Sequence, residues 1–168
     1  MLAVMVGLPG TGKSTLAEVL AGRLEYSVIP VDPIEAAILR AGIDAGQPTG
    51  LAAYLVAETL AEMALKADHN VIIDAVNAVN PAREQWVNLA ARIGEPIRFI
   101  EVVCTDEALH RSRLTGRDAA GAETQAVEQS LEEYDEWTGA SAAVGRITLD
   151  TVEPIGVNVD RAIAFLHT

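Results

Sequence analysis

Apolar and polar positions follow two regimes along this chain. Short, largely apolar runs of four to seven residues recur at Leu2–Val6, Ser27–Val31, Val71–Asp74, Ile97–Val103 and Arg146–Leu149. Runs of that length, rich in β-branched types, fit strands covered on both faces. Between them the apolar positions return every three to four residues. That period predicts helices over Lys13–Leu24, Ile34–Ala41, Gly50–Ala67, Ala82–Ile93, Asp106–Arg117, Glu123–Trp137 and Asn158–His167. Gly94 stands where one helix should end, and Pro33 and Pro81 lie near two starts. Strands alternating with helices predict an α/β fold, a parallel sheet with helices on both faces. No repeat, linker or shift of composition marks a second domain, so residues 1–168 read as one. Two soft stretches, AGIDAGQPTG (41–50) and GRDAAGAET (116–124), read as loops around a site.

One segment fits neither regime. GLPGTGKST (Gly7, Leu8, Pro9, Gly10, Thr11, Gly12, Lys13, Ser14, Thr15) follows the first strand and opens the first helix. This is G-x-x-x-x-G-K-[ST], the phosphate-binding loop, in the context that gives the pattern meaning. Glycines let backbone N–H groups turn inward around phosphate oxygens, and the helix that follows presents its positive end to the same anion. Lys13 is placed to reach the β- and γ-phosphates and the Ser14 hydroxyl to ligate Mg²⁺.

Composition narrows what the phosphate serves. The chain has 168 residues and a net charge of −12. That balance argues against a broad nucleic-acid face while leaving room for one cationic pocket. A single cysteine, Cys104, excludes an internal disulfide and fits a reducing compartment. The longest apolar helical stretch, residues 51–65, carries Glu58 and Glu62 on one face, so no membrane span is expected. A soluble, cytoplasmic protein is the expectation.

Two strand ends carry carboxylates. Asp32 follows the second strand at the edge where open α/β sheets bind ligands, positioned to take a proton from an attacking hydroxyl. It also reads as a helix N-cap with Pro33 at the first helical position, and the two roles are compatible. VIIDA ends in Asp74, a Walker B-like carboxylate for Mg²⁺, directly or through water. A strand-end cap is the other reading.

The stretches GLPGTGKST, VDPIEAAILR, VIIDAVNAVNPAREQW and VVCTDEALHRSRLTGR together resemble the small P-loop kinases. These include polynucleotide 5′-hydroxyl kinase domains, chloramphenicol phosphotransferase, gluconate kinase and adenylylsulfate kinase. The resemblance spans nearly the whole chain. It implies a nucleoside-monophosphate-kinase-like three-layer sandwich, strand order 2-3-1-4-5, and a helical lid over about residues 106–122. It also implies ATP with Mg²⁺, Asp32 as the catalytic aspartate, and contact of Thr151 to Pro154 with the base. NAVNPAREQW is similar to the polynucleotide kinase stretch whose Asn and Arg line the acceptor site, which implies Asn77 and Arg83; Arg40, on the helix expected over Ile34–Ala41, is a further substrate-site candidate. A longer loop after Asp74 leaves Asn77 and Asn80 as alternatives, and Asn80 also reads as a helix cap before Pro81. Arg83 reads equally as a solvated helix face.

ALHRSRLTGR resembles the lid signature. Arg113 and Arg117, at i and i+4, share a helix face and can meet one anion. Planar cations there stabilise the charge spread over a loose phosphoryl transition state. The competing reading makes them surface charges offsetting an acidic protein. His110 has no evident catalytic part, and Tyr134 and Trp137 read as the inward face of an acidic helix. With no N-K-x-D guanine motif, ATP is preferred to GTP. The expected function is ATP-dependent phosphorylation of a small hydroxyl compound. The rival readings are a polynucleotide 5′-hydroxyl kinase and a nucleotide-dependent switch.

Overall fold

The computed structural model describes residues 1–117 and 134–168, the side chains of residues 116 and 117 apart. The elements run β1 (Leu2–Val6), α1 (Lys13–Leu24), β2 (Ser27–Pro30), α2 (Val31–Arg40), α3 (Thr49–Lys66), β3 (Val71–Asp74), α4 (Asn80–Ile93), β4 (Ile97–Val103), α5 (Glu107–Arg117), α6 (Gly139–Ala142), β5 (Arg146–Asp150) and α7 (Ile155–Leu166). The strands form one parallel sheet in the order β2-β3-β1-β4-β5, the expected topology.

β1 lies in the middle and is wholly buried, which is why LAVMV carries no polar residue. Its alternation divides the core. Leu2, Val4 and Val6 face a layer containing Ala53, Ala57, Ala61, Trp86 and Leu89 of α3 and α4. Ala3 and Met5 face Leu16 and Leu20 of α1 and Val159, Ala162 and Leu166 of α7. Alanine at every fourth position lets α3 lie close to the sheet, and the return of apolar contacts on both faces makes three layers.

Register aligns the carboxyl ends of the strands. Val6 pairs with Glu101 of β4, Pro30 with Asp74, and Val103 with Asp150. The loop after β1 therefore leaves the centre of this edge, with β2 and β3 on one side and β4 and β5 on the other.

Three boundaries depart from the sequence reading by three residues or more. α2 begins at Val31 rather than Ile34, because a proline in the first turn gives up only an N–H that has no intrahelical acceptor. α7 likewise starts three residues early, at Ile155, with Pro154 as its N-cap. Of the expected helix over Glu123–Trp137, residues 123–133 lie outside the described residues, and Tyr134–Trp137 are not helical. Among the described residues no helix is long and apolar enough to cross a membrane.

Candidate active site

The phosphate loop is held open by its backbone. Gly7 has φ 155°, and a Cβ there would lie 2.4 Å from the Val102 carbonyl oxygen, so no other residue fits against β4. The Gly7 N–H donates to the Val76 carbonyl at 3.0 Å, tying the loop to the segment after β3. Gly12, at φ 96°, is the N-cap of α1 and supplies no side chain to the exposed N–H groups. The first turn of α1 contains no acidic residue. Lys13 is only 4% exposed although lysine is among the residues least often buried. An uncapped helix start, a glycine cradle and a buried ammonium are the features a polyphosphate requires, so the loop fits a nucleotide.

α5 closes on this loop from the β4–β5 side. The His110 Nε2–H donates to the Pro9 carbonyl at 2.7 Å, and Leu114 fills the space beside Gly10. Arg113 donates through Nη1 to Thr151 Oγ1 at 2.7 Å and to the Thr11 carbonyl at 3.4 Å. The Thr151 hydroxyl donates to the Thr11 carbonyl at 2.6 Å. The Arg113 guanidinium thus lies against the β5 edge of the loop, an anchoring position that the lid pattern does not reveal. Arg117 ends α5, and its side chain lies outside the described residues, as do residues 118–122 of the expected lid. A cavity of about 660 Å³ opens on this side, with Leu8, Thr11, Glu101, Cys104 and Arg111 in its wall.

The other side of the loop is acidic and aromatic. Asp32 is exposed in the first turn of α2, where its charge favours the helix N-terminus. The N-cap is Pro30 and no side chain caps the helix, so Asp32 is not the cap that the sequence allowed. Asp74 ends β3 and is 8% exposed. Both lie near Tyr54 of α3, with Glu35. Burial, then the charges of Asp32, Glu35 and Asp74, push the Tyr54 phenol up to about 12, against the opposing hydrogen bond from the Asn77 N–H. Glu35 accepts from the Thr49 hydroxyl at 2.7 Å. A cavity of about 350 Å³ opens beside Tyr54, bounded by the start of α3 and residues 76–82.

Of the other expected acceptor-site residues, Asn77 lines this cavity and Arg83, Asn80 and Arg40 do not. Asn77, fully buried at φ 50°, spends its side chain internally: Nδ2 donates to the Met5 carbonyl at 2.7 Å, and Oδ1 accepts from Trp86 Nε1 at 2.9 Å. Arg83 is not a solvated face. It is 0% exposed and donates to the carbonyls of Asn77, Ala78 and Asp135. Its guanidinium lies 4.3 Å from the Trp137 ring centroid, and burial pulls its pKa down. Asn80 is the first residue of α4 rather than its cap, and its amide donates to the Glu136 carbonyl and Thr138 Oγ1, both at 2.8 Å. Arg40 is exposed at the far end of α2, eight residues and about 12 Å from Asp32.

These struts hold the 134–138 segment, which Glu101 receives on the sheet. Its carboxylate accepts from Tyr134 at 2.5 Å, Trp137 Nε1 at 3.2 Å and Thr148 at 2.7 Å. Burial alone would raise the Glu101 pKa, but these hydrogen bonds outweigh it and hold it below the usual value. Sequence reasoning missed Tyr54, although a lone aromatic in an alanine-rich helix was the available signal.

Comparison with known proteins places the site in context. Residues 2–140 match the family model described as AAA domain (AAA_33). An adenylate kinase of Gemmatimonas aurantiaca is 29% identical over 133 residues, covering 70% of this chain and 59% of that protein. A bifunctional polynucleotide phosphatase/kinase of Schizosaccharomyces pombe is 28% identical over 108 residues, 63% of this chain and 22% of that protein. The chain thus spans under two thirds of both relatives. The APS kinase of Mycobacterium tuberculosis, crystallised with AMPPNP and APS, superposes with a TM-score of 0.74 at 17% identity, over 99% of this chain and 97% of that one.

Proposed function

The chain belongs to the AAA domain family (AAA_33), and on that premise we propose that it is an ATP-dependent phosphotransferase acting on a hydroxyl of a small molecule. The observation that carries the reading is a phosphate loop standing between two openings. One lies on the β4 side and the other beside Tyr54. A nucleotide hydrolase or switch needs one pocket, whereas a transferase needs a place for donor and acceptor on either side of the migrating group.

In this reading the P-loop N–H groups and Lys13 hold the phosphates, and Ser14 and Asp74 hold Mg²⁺. Mg–ATP supplies the phosphoryl group. Asp32 accepts the proton of the acceptor hydroxyl as its oxygen bonds to the γ-phosphorus and the β–γ bridge breaks, leaving ADP. Arg113 and Arg117 meet charge that develops on the equatorial oxygens. The Schizosaccharomyces pombe relative brings nucleic acid forward as acceptor, but a net charge of −12 opposes an extended polyanion.

The test is transfer from γ-labelled ATP to a panel of alcohols. Label recovered in a phosphomonoester, and lost in a folded Lys13→Ala variant, supports the reading. Label released only as inorganic phosphate, whatever alcohol is present, refutes it.

A further inference from the structure

Resting on the phosphotransferase reading, we propose that the acceptor is a hydroxyl compound without negative charge, whose apolar body occupies the cavity beside Tyr54. The cavity is linked to the phosphate loop through one residue of its wall. Val76, in its wall, is the residue whose carbonyl receives the Gly7 N–H at 3.0 Å. Leu51, Val79, Pro81 and Ala82 extend that wall, and the Tyr54 side chain completes it.

Most side-chain polar groups at the wall already have internal partners. The Asn77 amide is spent on Met5 and Trp86. The Gln85 amide donates to the Tyr54 carbonyl at 3.2 Å and to Glu58 at 2.7 Å. The phenol oxygen receives the Asn77 N–H at 3.2 Å. The wall therefore recognises shape and apolar surface more than hydrogen-bonding groups.

No cation balances an anion here. Among the described side chains, none of the Lys or Arg residues lines the cavity. Arg83, the nearest in sequence, does not line the cavity and gives Nε and Nη2 to three carbonyls, its buried Nη1 having no hydrogen-bond partner among the described residues, and Arg92 is paired with Glu58 and Glu62 at 3.0 and 2.7 Å. Residues 118–133 contain no Lys or Arg at all. The charges that reach Tyr54 are those of Asp32, Glu35 and Asp74, all negative. A carboxylate or phosphate on the acceptor body would be desolvated without a partner and repelled as well. A volume of about 350 Å³ lies at the small end for ligand sites, enough for a ring-sized body.

The experiment pairs phenyl-substituted diols with the same diols bearing a ring carboxylate, and adds sugar phosphates. Transfer from ATP and ligand-induced thermal shifts are both measured on the whole chain. The expected result is a kcat/KM at least about a hundredfold higher for the uncharged twin, and stabilisation by that twin alone at equal concentration. Leu51→Arg, at a position exposed enough to leave the fold intact, should improve the acid twin about tenfold relative to the neutral one. Preference for the carboxylate or phosphate compounds overturns the inference, as does a Leu51→Arg variant with unchanged charge preference. The two readings fail differently. Binding of the neutral twin without transfer would refute the phosphotransferase and keep the cavity's selectivity, while transfer to the acids would do the reverse.

Discussion

Arg83 offers the sharpest separation between what its motif suggests and what the fold does with it. The Arg83→Met variant keeps the apolar stem and removes the guanidinium. Three carbonyl oxygens, of Asn77, Ala78 and Asp135, then lose a donor in the interior. Each unsatisfied buried acceptor costs about 1–3 kcal/mol. The stacking of the cation on Trp137 at 4.3 Å adds about 2 kcal/mol when desolvated. A total of roughly 5–11 kcal/mol is comparable to the ~5–15 kcal/mol that holds a domain together. At ~2–4 °C per kcal/mol for a chain of this size, the melting temperature should fall by at least about 10 °C. Arg83→Lys should recover only part of this, since one ammonium cannot span three carbonyls. The assay is thermal or urea unfolding, read with the KM of an accepted alcohol on the folded fraction. An unchanged melting temperature with a raised acceptor KM would refute the strut and return Arg83 to the acceptor site.

Gly7→Ala brings a Cβ to 2.4 Å from the Val102 oxygen, so it should cost at least about 2 kcal/mol of stability and displace the loop. Normal ATP affinity with a wild-type melting temperature would contradict that. Arg113→Ala should lower kcat at least about tenfold while ATP affinity without acceptor changes less, because the charge it meets develops during transfer. Weakened ATP binding at an intact kcat would make Arg113 only the anchor between Thr11 and Thr151 that its hydrogen bonds describe. Burial comes first in raising the pKa of all three tyrosines, Tyr26, Tyr54 and Tyr134, with Tyr54 reaching about 12. Unfolded tyrosines ionise near pH 10, so stability is intact below that and falls as pH rises toward 12. Tyrosinate absorbance that develops fully at pH 10 in the folded protein would oppose this.

The phosphate loop was legible because everything that defines it is local: nine residues, the strand before and the helix after. The strands were legible for a related reason. Each is a short apolar run punctuated by loops, and the observed ends differ from the expected ones by one residue at most. The start of α2 was misread because Pro33 resembles a boundary when it in fact occupies the first turn. The internal hydrogen bonds of Asn77 and Arg83 were not legible for a different reason. They include remote partners, Met5 lying 72 positions from Asn77 and Asp135 lying 52 from Arg83, and no local pattern encodes such contacts. Tyr134 and Trp137 do pack inward as their residue types suggest, but Glu101 holds them on a non-helical segment.

Phosphoryl transfer assisted at Asp32 is the central step of the proposed reaction. The direct measurement is the product balance in a single turnover with an accepted alcohol, for wild type and Asp32→Asn. Since Asp32 is exposed and does not cap α2, the substitution should cost no more than about 1 kcal/mol of helix-dipole stabilisation and leave ATP binding intact. The expected result is one phosphomonoester for each ADP in the wild type, and the same balance in Asp32→Asn reached about 10²- to 10⁴-fold more slowly. Equal ADP and inorganic phosphate in the wild type, unaffected by alcohol and unchanged by Asp32→Asn, would contradict it and leave a nucleotide-hydrolysing switch in its place.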